Sequence, residues 1–423
     1  MKLYAHQQKI IDADPKKTGL FLGTGSGKTR IALLLSRGRV LVIAPKTQVL
    51  DQNWEREWMK IVGIVPKDAK ISTLKVVSKE TFRSMADLLE PFDTVIVDEA
   101  HTCLGMTPNL RTRKRVTVPK ASQLYEALEA YLARCTPSRL YLVTATITKS
   151  PMTVFAGARI LGKIPGEMSH FYQFRHSYYT KLPMPGREVY APKYTKEAKE
   201  SLAQMVKDMG YLGRLEDFFD VPDQTYKTIH IELTERQKKR IKDMTLEYPD
   251  PIVRVGKRHQ VENGVLSGDE FTAPETFENG KIEKILELAI EFPKMIVFAK
   301  YREQIKAIQE ALTGARVCTW TLTGDTKDRA GVIKQANELD GVLIVQSQIS
   351  AGWETPNIPV MVFASRTYSL VDYIQGLGRI QRADHIKKNL YINLVVKGGV
   401  DEALDKALTN KQDFHEKLYA ENN

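Results

Sequence analysis

A glycine-rich segment near the amino terminus constrains the fold more than any other feature of this chain. Residues 20–29 read Leu-Phe-Leu-Gly-Thr-Gly-Ser-Gly-Lys-Thr, an apolar run that leads into closely spaced glycines. Glycines in such a turn let successive backbone N–H groups point at one anion, and Lys28 can reach the terminal phosphates of a nucleotide. The Thr29 hydroxyl can bind Mg²⁺. The segment therefore predicts a buried strand, a phosphate loop and a helix in succession.

The first glycine of this phosphate loop lies at Gly23, one position later than the strict spacing of such loops requires. This shift alters the path by which the chain reaches the loop, whereas the part that contacts phosphate is intact. The residues predicted to cradle the nucleotide phosphates are Gly23, Thr24, Gly25, Ser26, Gly27, Lys28 and Thr29.

A second segment supplies two adjacent carboxylates. Residues 95–101 read Val-Ile-Val-Asp-Glu-Ala-His, and the apolar run predicts a buried parallel strand that ends at Asp98. An aspartate at a strand end beside a phosphate loop can hold the Mg²⁺ of a nucleotide, and Glu99 can orient and deprotonate the attacking water. The two segments together predict hydrolysis of a nucleoside triphosphate, with ATP and Mg²⁺ as cofactors.

Short β-branched runs alternate with helix-like segments in two separate stretches of the chain. Such alternation predicts βαβ units and a parallel sheet covered by helices. We therefore expect an α/β fold with two lobes, residues 1–160 and 281–423, separated by a mostly helical insert and linker at 161–280. The predicted strands are residues 40–43, 94–97 and 140–144 in the first lobe and 295–298, 342–345, 360–363 and 390–396 in the second.

Composition indicates the partners and the compartment. Sixty-two basic residues against fifty-one acidic ones give a net charge of +11, which favours a polyanionic partner such as nucleic acid. Three scattered cysteines without metal-ligand spacing indicate a reducing compartment. No apolar run approaches the roughly 20 residues of a membrane span, and no secretory segment opens the chain. We expect a cytoplasmic protein that does not contact a membrane.

Three further features have both a functional and an ordinary explanation. Gln7 could offer its amide to an adenine edge with Tyr4 as a stacking ring, or it could be a surface residue of an amphipathic helix. Lys46 follows the predicted strand at 40–43, where it could contact a nucleic-acid phosphate or sit in a common strand-to-helix turn. The basic run at 111–115 could contact phosphates or be a solvated loop.

A second group of charged residues lies near the carboxyl end. In the segment 372–382, Gln375, Arg379 and Arg382 are spaced so that they would share one face of a helix. Two guanidiniums presented together suit the charge that develops on a transferred phosphate. The alternative is a solvated basic helix face, although two glycines inside the segment are poor helix formers.

These segments, in this order, resemble motifs I, Ia, II, III, IV, V and VI of superfamily 2 helicases over nearly the whole chain. Motif III corresponds to Thr-Ala-Thr at 144–146 and motif V to the segment 348–354. Finer details resemble Swi/Snf-like double-stranded DNA translocases in the compact form of phage-encoded members. The segments that carry this finer resemblance are residues 146–151, 174–179, 218–222, 231–237 and 400–411.

The resemblance implies two RecA-like lobes, ATP at their interface, and the cytoplasm of a bacterium or of an infected host as location. It implies roles in ATP chemistry for Gln7, Lys28, Thr29, Asp98, Glu99, Gln375, Arg379 and Arg382, with Thr29 and Asp98 as Mg²⁺ ligands. It places along a nucleic-acid track Lys46, Ser78, Thr81, Lys300 and Ser350.

The expected function is an ATP-dependent DNA translocase or helicase that acts on duplex or branched DNA in recombination, replication or repair. Protein partners are unknown from the sequence. One alternative is an RNA helicase of the same superfamily. Another is a non-catalytic DNA-binding scaffold built on an ATPase fold.

Overall fold

The computed structural model divides the chain into two compact units, Met1–Asp220 and Val221–Asn423. None of the helices in the part of the chain that it describes is both long and apolar enough to cross a bilayer. The described residues are 3–62, 71–113, 116–145, 147, 150–164, 167–183, 188–193, 195–214, 217–219, 223–268, 273–349, 353–380 and 388–409.

Helices and strands alternate through most of both units. The helices are α1 (Ala5–Asp12), α2 (Lys28–Leu35), α3 (Lys46–Leu50), α4 (Asn53–Ile61), α5 (Lys79–Met85), α6 (Gln123–Cys135), α7 (Pro151–Ile160), α8 (Met168–Tyr178), α9 (Lys196–Met209), α10 (Glu235–Glu247), α11 (Pro251–Glu262), α12 (Gly280–Glu291), α13 (Arg302–Gly314), α14 (Arg329–Glu338), α15 (Leu370–Leu377) and α16 (Val400–Thr409). The strands are β1 (Lys17–Leu22), β2 (Gly38–Ala44), β3 (Ile71–Ser78), β4 (Thr94–Asp98), β5 (Met106–Arg113), β6 (Val116–Ala121), β7 (Arg139–Val143), β8 (Tyr179–Leu182), β9 (Val189–Pro192), β10 (Gly210–Gly213), β11 (Thr225–Ile231), β12 (Val265–Leu266), β13 (Glu275–Thr276), β14 (Lys294–Ala299), β15 (Thr319–Leu322), β16 (Gly341–Gln346), β17 (Val360–Phe363) and β18 (Leu390–Val396).

The first unit is built on a six-stranded parallel sheet in the order β10-β1-β7-β4-β2-β3. Its strands are apolar on both faces because helices cover both sides of the sheet. Within β2, Leu41 and Ile43 join one buried cluster, whereas Val40 and Val42 join the cluster on the opposite face. All three strands predicted for this lobe are confirmed.

The second unit repeats this architecture with a six-stranded parallel sheet in the order β11-β18-β17-β14-β16-β15. Alternate residues of β14 again enter clusters on opposite faces, Met295 and Val297 on one side and Ile296 and Phe298 on the other. The four strands predicted for this lobe are confirmed, and with them the α/β fold of two parallel sheets.

The segment 161–280, predicted as a mostly helical insert, contains helices α8 to α11 together with short strands and is divided between the two units at residue 220. It gives each sheet an edge strand, because β10 pairs with β1 and β11 pairs with β18. Neither strand was predicted from the sequence. The structure divides the chain at residue 220, whereas the sequence predicted boundaries at 160 and 280. The pairing of β10 with β1 requires glycine, since a Cβ on Gly210 would lie 2.1 Å from the Gly19 carbonyl oxygen.

Candidate functional site

The sheet of the first unit gathers the predicted site residues of that unit along one edge. Because all its strands are parallel, their carboxyl ends meet there, and open α/β sheets bind ligands at that edge. The phosphate loop follows β1, and the acidic pair ends β4. Strand β7 lies between them, with Val143 opposite Leu20 on one side and opposite Asp98 on the other. Thr144, which follows β7, therefore emerges between the phosphate loop and the carboxylates.

The phosphate loop has the geometry of an anion cradle. Gly25 and Gly27 adopt φ angles of 81° and 83°, in the left-handed region that other residues adopt only with strain. Helix α2 begins directly at Lys28, so its first N–H groups and its positive dipole end face the loop. The Lys28 ammonium donates to the Gly23 carbonyl at 3.1 Å, which places it over the loop. These residues fit a nucleotide phosphate.

Gln7 supports the phosphate loop from outside. Its side chain is buried, which excludes the surface explanation, and its amide nitrogen donates to the Ser26 carbonyl at 3.2 Å. A Cβ on Gly27 would lie only 2.3 Å from that nitrogen, so the glycine makes room for the glutamine. Its oxygen accepts from the Tyr4 N–H at 3.1 Å, at the start of α1. Adenine recognition by Gln7 stays a prediction.

An aromatic cluster lies beside the loop, and of its members only Tyr4 was predicted as part of the site. The His6 ring stacks on Phe218 at 4.0 Å between centroids, and Tyr4 meets Phe219 edge-on at 4.7 Å. His6 also approaches the Ser26 carbonyl at 2.9 Å through Nε2. The two phenylalanines belong to the segment 218–222, which the sequence singled out only for its family resemblance. Aromatic rings beside a phosphate loop offer a stacking surface for a base.

Asp98 is held at the end of β4 by two donors. The Trp54 indole N–H donates to its Oδ2 at 3.2 Å, and the Glu99 N–H donates to its Oδ1 at 2.9 Å. Burial, with a smaller contribution from the Glu99 charge, raises the pKa of the Asp98 carboxyl to about 6. A buried carboxylate with partners on both oxygens has a defined orientation, as a ligand of Mg²⁺ requires.

Glu99 sits in a strained backbone position with its carboxylate fixed by neighbours. Its φ of 42° lies in the left-handed region, which a non-glycine residue occupies only where its surroundings hold it there. The Thr144 hydroxyl donates to Glu99 Oε2 at 3.3 Å, and His101 Nδ1 lies 3.4 Å from the same oxygen. His101 and Thr144 are buried and 2.8 Å apart through Nδ1 and Oγ1. The carboxylate is thus oriented by two side chains, as a general base must be.

The predicted nucleic-acid residues of the first unit lie farther along the same edge. Lys46 is exposed at the first position of α3, directly after β2. Ser78 ends β3 opposite Ala44 of β2, so the two strand ends are neighbours. The buried Ser78 hydroxyl accepts from the Thr81 N–H at 3.0 Å and caps helix α5, which gives Ser78 a structural role. Thr81 is exposed at this edge.

The second unit corrects the helical reading of the segment 372–382. Helix α15 ends at Leu377, and Arg379 lies beyond it, so Gln375 and Arg379 do not share a helix face. The helix ends where two glycines lower its stability. Arg379 instead folds back, and its guanidinium donates to the carbonyls of Gln375 at 2.8 Å and Trp353 at 2.6 Å. Arg382 and Ser350 lie outside the described residues.

Lys300 follows β14 at the carboxyl edge of the second sheet. Its ammonium lies 3.3 Å from the centre of the Tyr368 ring, a cation–π contact. Its backbone N–H donates to the Ser365 hydroxyl at 2.7 Å. Both contacts fix the lysine at the edge where parallel sheets bind ligands.

The basic run at 111–115 belongs to an antiparallel hairpin of β5 and β6. Arg111 forms an ion pair with Glu126 in the first turn of α6, so part of its charge is neutralised within the protein. Residues 114 and 115 lie outside the described part of the chain. Contact of this run with phosphates stays a prediction.

Part of the chain matches a known protein family, and the whole chain is more distantly similar to known proteins. Residues 280–384 match the helicase conserved C-terminal domain. The chain is 21% identical to a Methanocaldococcus jannaschii protein described as an ATP-dependent RNA helicase, over 96% of this chain and 59% of that relative. The chain therefore spans less than two thirds of that relative's length. It also aligns, at 16% identity and a TM-score of 0.40, with a Sulfolobus solfataricus SWI2/SNF2 ATPase core in complex with double-stranded DNA, covering 100% of this chain and 92% of that one. The match to the helicase conserved C-terminal domain thus falls within the second unit, whereas the phosphate loop lies in the first.

Proposed function

We propose that this chain is an ATP-dependent DNA translocase or helicase that acts on duplex or branched DNA in recombination, replication or repair. The observation that carries the proposal is the arrangement of Glu99, held by Thr144 and His101 at a strand end that shares an edge with the phosphate loop. The net charge of +11 supports a nucleic-acid partner. The Swi/Snf-like segments of the sequence support duplex DNA.

The proposed ATP site uses residues of the first unit in distinct roles. Lys28 and the loop N–H groups would bind the phosphates, and Thr29 and Asp98 would hold Mg²⁺ through oxygen, the ligand type that this ion prefers. Mg²⁺ bound with ATP neutralises negative charge on the phosphates. Glu99 would take the proton of the attacking water, with Thr144 and His101 keeping its carboxylate in place.

The proposed roles of Gln375, Arg379 and Arg382 concern the phosphate charge that grows during hydrolysis. Arginine suits this role because its guanidinium stays protonated and donates in a fixed plane. Arg379 is buried and bonded to two carbonyls, so its planar group is already ordered. In this proposal, a change in nucleotide state alters which contacts these residues make, and that difference drives motion along DNA.

The proposed track would bind the sugar-phosphate backbone with little sequence preference, since lysine and hydroxyl groups recognise phosphates. Lys46 and Lys300 each lie at the carboxyl edge of their own sheet. For duplex DNA, the affinity should fall with salt by a slope of about −0.9 per phosphate contact. Lys46→Ala should reduce that slope by about 1. Lys17→Ala is the matched control, because Lys17 is exposed at the opposite end of the same sheet.

RNA is the second candidate substrate, favoured by the description of the Methanocaldococcus jannaschii relative. An ATPase assay with duplex DNA, single-stranded DNA, a four-way DNA junction and duplex RNA separates the two. We expect duplex or branched DNA to stimulate turnover at least as well as single strands. Stimulation by RNA alone would establish the RNA helicase instead. Glu99→Gln serves as the catalytic blank in every arm.

Movement without strand separation is the finer part of the proposal. The protein should displace a third strand from a triplex or move a branch point, while opening a blunt duplex poorly. Efficient unwinding of a tailed duplex, with stimulation by single strands only, would replace the translocase by a conventional helicase. Absence of any ATP turnover would leave the non-catalytic scaffold.

A further inference from the structure

Helix α4 contacts both halves of the proposed ATP site. It follows α3 after a turn at residues 51 and 52 and packs on α2, the helix that begins at the phosphate loop. Trp54, near its start, is 1% exposed and belongs to the buried cluster that also contains Ile31 of α2 and Ile96 of β4. Helix α4 thus packs against the helix that follows the phosphate loop and, through Trp54, against the strand that ends at Asp98.

Trp54 does more than fill space in that cluster. Its indole N–H donates to Asp98 Oδ2 at 3.2 Å, across a separation of 44 residues in sequence. A buried carboxylate prefers donors on its oxygens, and an indole offers one N–H in the plane of a rigid ring. With the Glu99 N–H on Oδ1, this bond sets the rotation of the carboxylate about its last single bond.

Glu57 is three residues after Trp54, so the two side chains lie on neighbouring positions of one helix face. Its Oε1 accepts from the Arg30 Nε at 2.6 Å, and both side chains are mostly buried, at 16% and 22% exposure. Arg30 directly follows Lys28 and Thr29 in the first turn of α2. One face of α4 is therefore bonded both to the aspartate of β4 and to the first turn after the phosphate loop.

We propose that α4 is a brace that sets the distance between Asp98 and the phosphate loop, with Trp54 and Glu57 as positioning residues for Mg²⁺ binding. The inference rests on the proposed ATP site. A Mg²⁺ ion demands near-ideal octahedral geometry with ligand distances of about 2.0–2.1 Å. Ligands on two separate elements, Thr29 on α2 and Asp98 on β4, meet that demand only when the elements are held in register.

The test is a Mg²⁺ titration of nucleotide binding, measured with a fluorescent ATP analogue and Trp54→Phe. Phenylalanine keeps the buried ring and removes the one N–H. We expect the Mg²⁺ concentration for half-maximal binding to rise by about tenfold or more, as for loss of a hydrogen bond to a charged group. Binding of the analogue in EDTA should be unchanged, because Lys28 and the loop are intact. Trp58→Phe is the matched control on the same helix.

Glu57→Gln is the second, independent variant, because it keeps an acceptor for Arg30 and removes the charge. We expect a smaller rise in the Mg²⁺ requirement, about threefold, in the same assay. Thermal unfolding of each variant shows whether the fold is kept. If Trp54→Phe does not fold, the result for Glu57→Gln decides the proposal: a raised Mg²⁺ requirement supports the brace, and an unchanged one contradicts it.

Asp98→Asn distinguishes failure of the brace from failure of the proposed site. If Asp98→Asn raises the Mg²⁺ requirement and folded Trp54→Phe does not, the brace is wrong and the metal site stands. If Asp98→Asn leaves the Mg²⁺ requirement unchanged, Asp98 is not a ligand, and the site and the brace both fail. A rise in Trp58→Phe equal to that in Trp54→Phe would reduce the role of Trp54 to packing.

Discussion

Removing the Lys281 ammonium from the interior of the second unit should be among the most destabilising single substitutions in that unit. The side chain is 1% exposed on α12, and its three N–H groups have three acceptors. These are Asn263 Oδ1 and the Ala364 carbonyl, each at 2.7 Å, and the Asp401 carboxylate. The bonds join α12 to the end of α11, to the residue after β17 and to α16. Removal of a buried ion with all its hydrogen bonds made leaves each of its partners without that hydrogen bond in the low-dielectric interior.

The magnitude follows from the partner that would remain. Burial raises the pKa of Asp401, but the charge of Lys281 and the hydrogen bond to His259 outweigh burial and hold it below its usual range. Asp401 is therefore ionised and buried, and Lys281→Met would leave that charge without its closest cation. Breaking a buried pair from one side costs about 3–5 kcal/mol. Lys281→Met with Asp401→Asn removes both charges, so the combined loss should be smaller than the sum.

Hydrogen exchange measures this loss where it occurs. Amides of β14 and β17 should exchange roughly 10²- to 4×10³-fold faster in Lys281→Met, as expected when opening becomes easier by that free energy. Lys284→Met is the matched control one turn along α12, where the ammonium bonds the exposed Glu287. We expect it to change stability by less than about 0.5 kcal/mol. Equal exchange in the two variants would refute the argument that the buried pair holds these elements together.

Four further substitutions test the site and its support. Glu99→Gln should bind ATP normally and lose about 10²–10⁴-fold in turnover, since an amide cannot accept the proton; near-normal kcat would remove Glu99 from the role of base. Arg379→Ala should lower kcat far more than nucleotide affinity, by roughly 10³–10⁵ if it acts as an arginine finger, and wild-type kcat would assign the residue to structure alone. Gly210→Ala should weaken ATP binding although it touches no predicted ligand, because its Cβ would strike the backbone of β1; unchanged affinity would separate β10 from the phosphate loop. Burial raises the pKa of Glu262 from an ordinary 4.5 to about 7, so the stability that depends on its neutral form is complete below pH 4.5 and is lost as the pH rises through 7; a Tm–pH curve between pH 5 and 8 should be flatter for Glu262→Gln than for the wild type.

The sequence predicted the parts of the protein that depend on residues close together in the chain, such as apolar runs and closely spaced glycines. Each apolar β-branched run forms a buried strand because both sheet faces are covered, and the glycines at 25 and 27 take the positive φ that a phosphate loop requires. Thr234 and Gln237 form a capping box at the start of α10, a local pattern in which two hydrogen bonds connect residues only three apart. Predictions of this kind depend on neighbours in sequence and need no knowledge of the tertiary fold.

Contacts between distant segments could not be predicted in this way. Trp54 and Asp98 are 44 residues apart, and Lys281 and Asp401 are 120 apart, so no spacing rule connects them. The end of α15 depends on two effects. The glycines near residue 377 are weak helix formers, and the carbonyls of Gln375 and Trp353 accept hydrogen bonds from Arg379. That arginine was assigned to a helix face because its spacing from Gln375 fits a helix, although the helix ends at Leu377.

The edge strand β10 shows how a segment far along the chain supports the proposed nucleotide site. Glycine is a poor strand former, which is why Gly210–Gly213 gives no strand signal in the sequence. The strand forms because its glycine lets two backbones approach, and its last carbonyl then accepts the Gly23 N–H at 2.8 Å. That bond fixes the first residue of the phosphate loop, at the position where the spacing departs from the strict pattern. The shifted position of Gly23 and the presence of β10 are therefore connected. The backbone of β10 fixes the position at which the chain enters the phosphate loop.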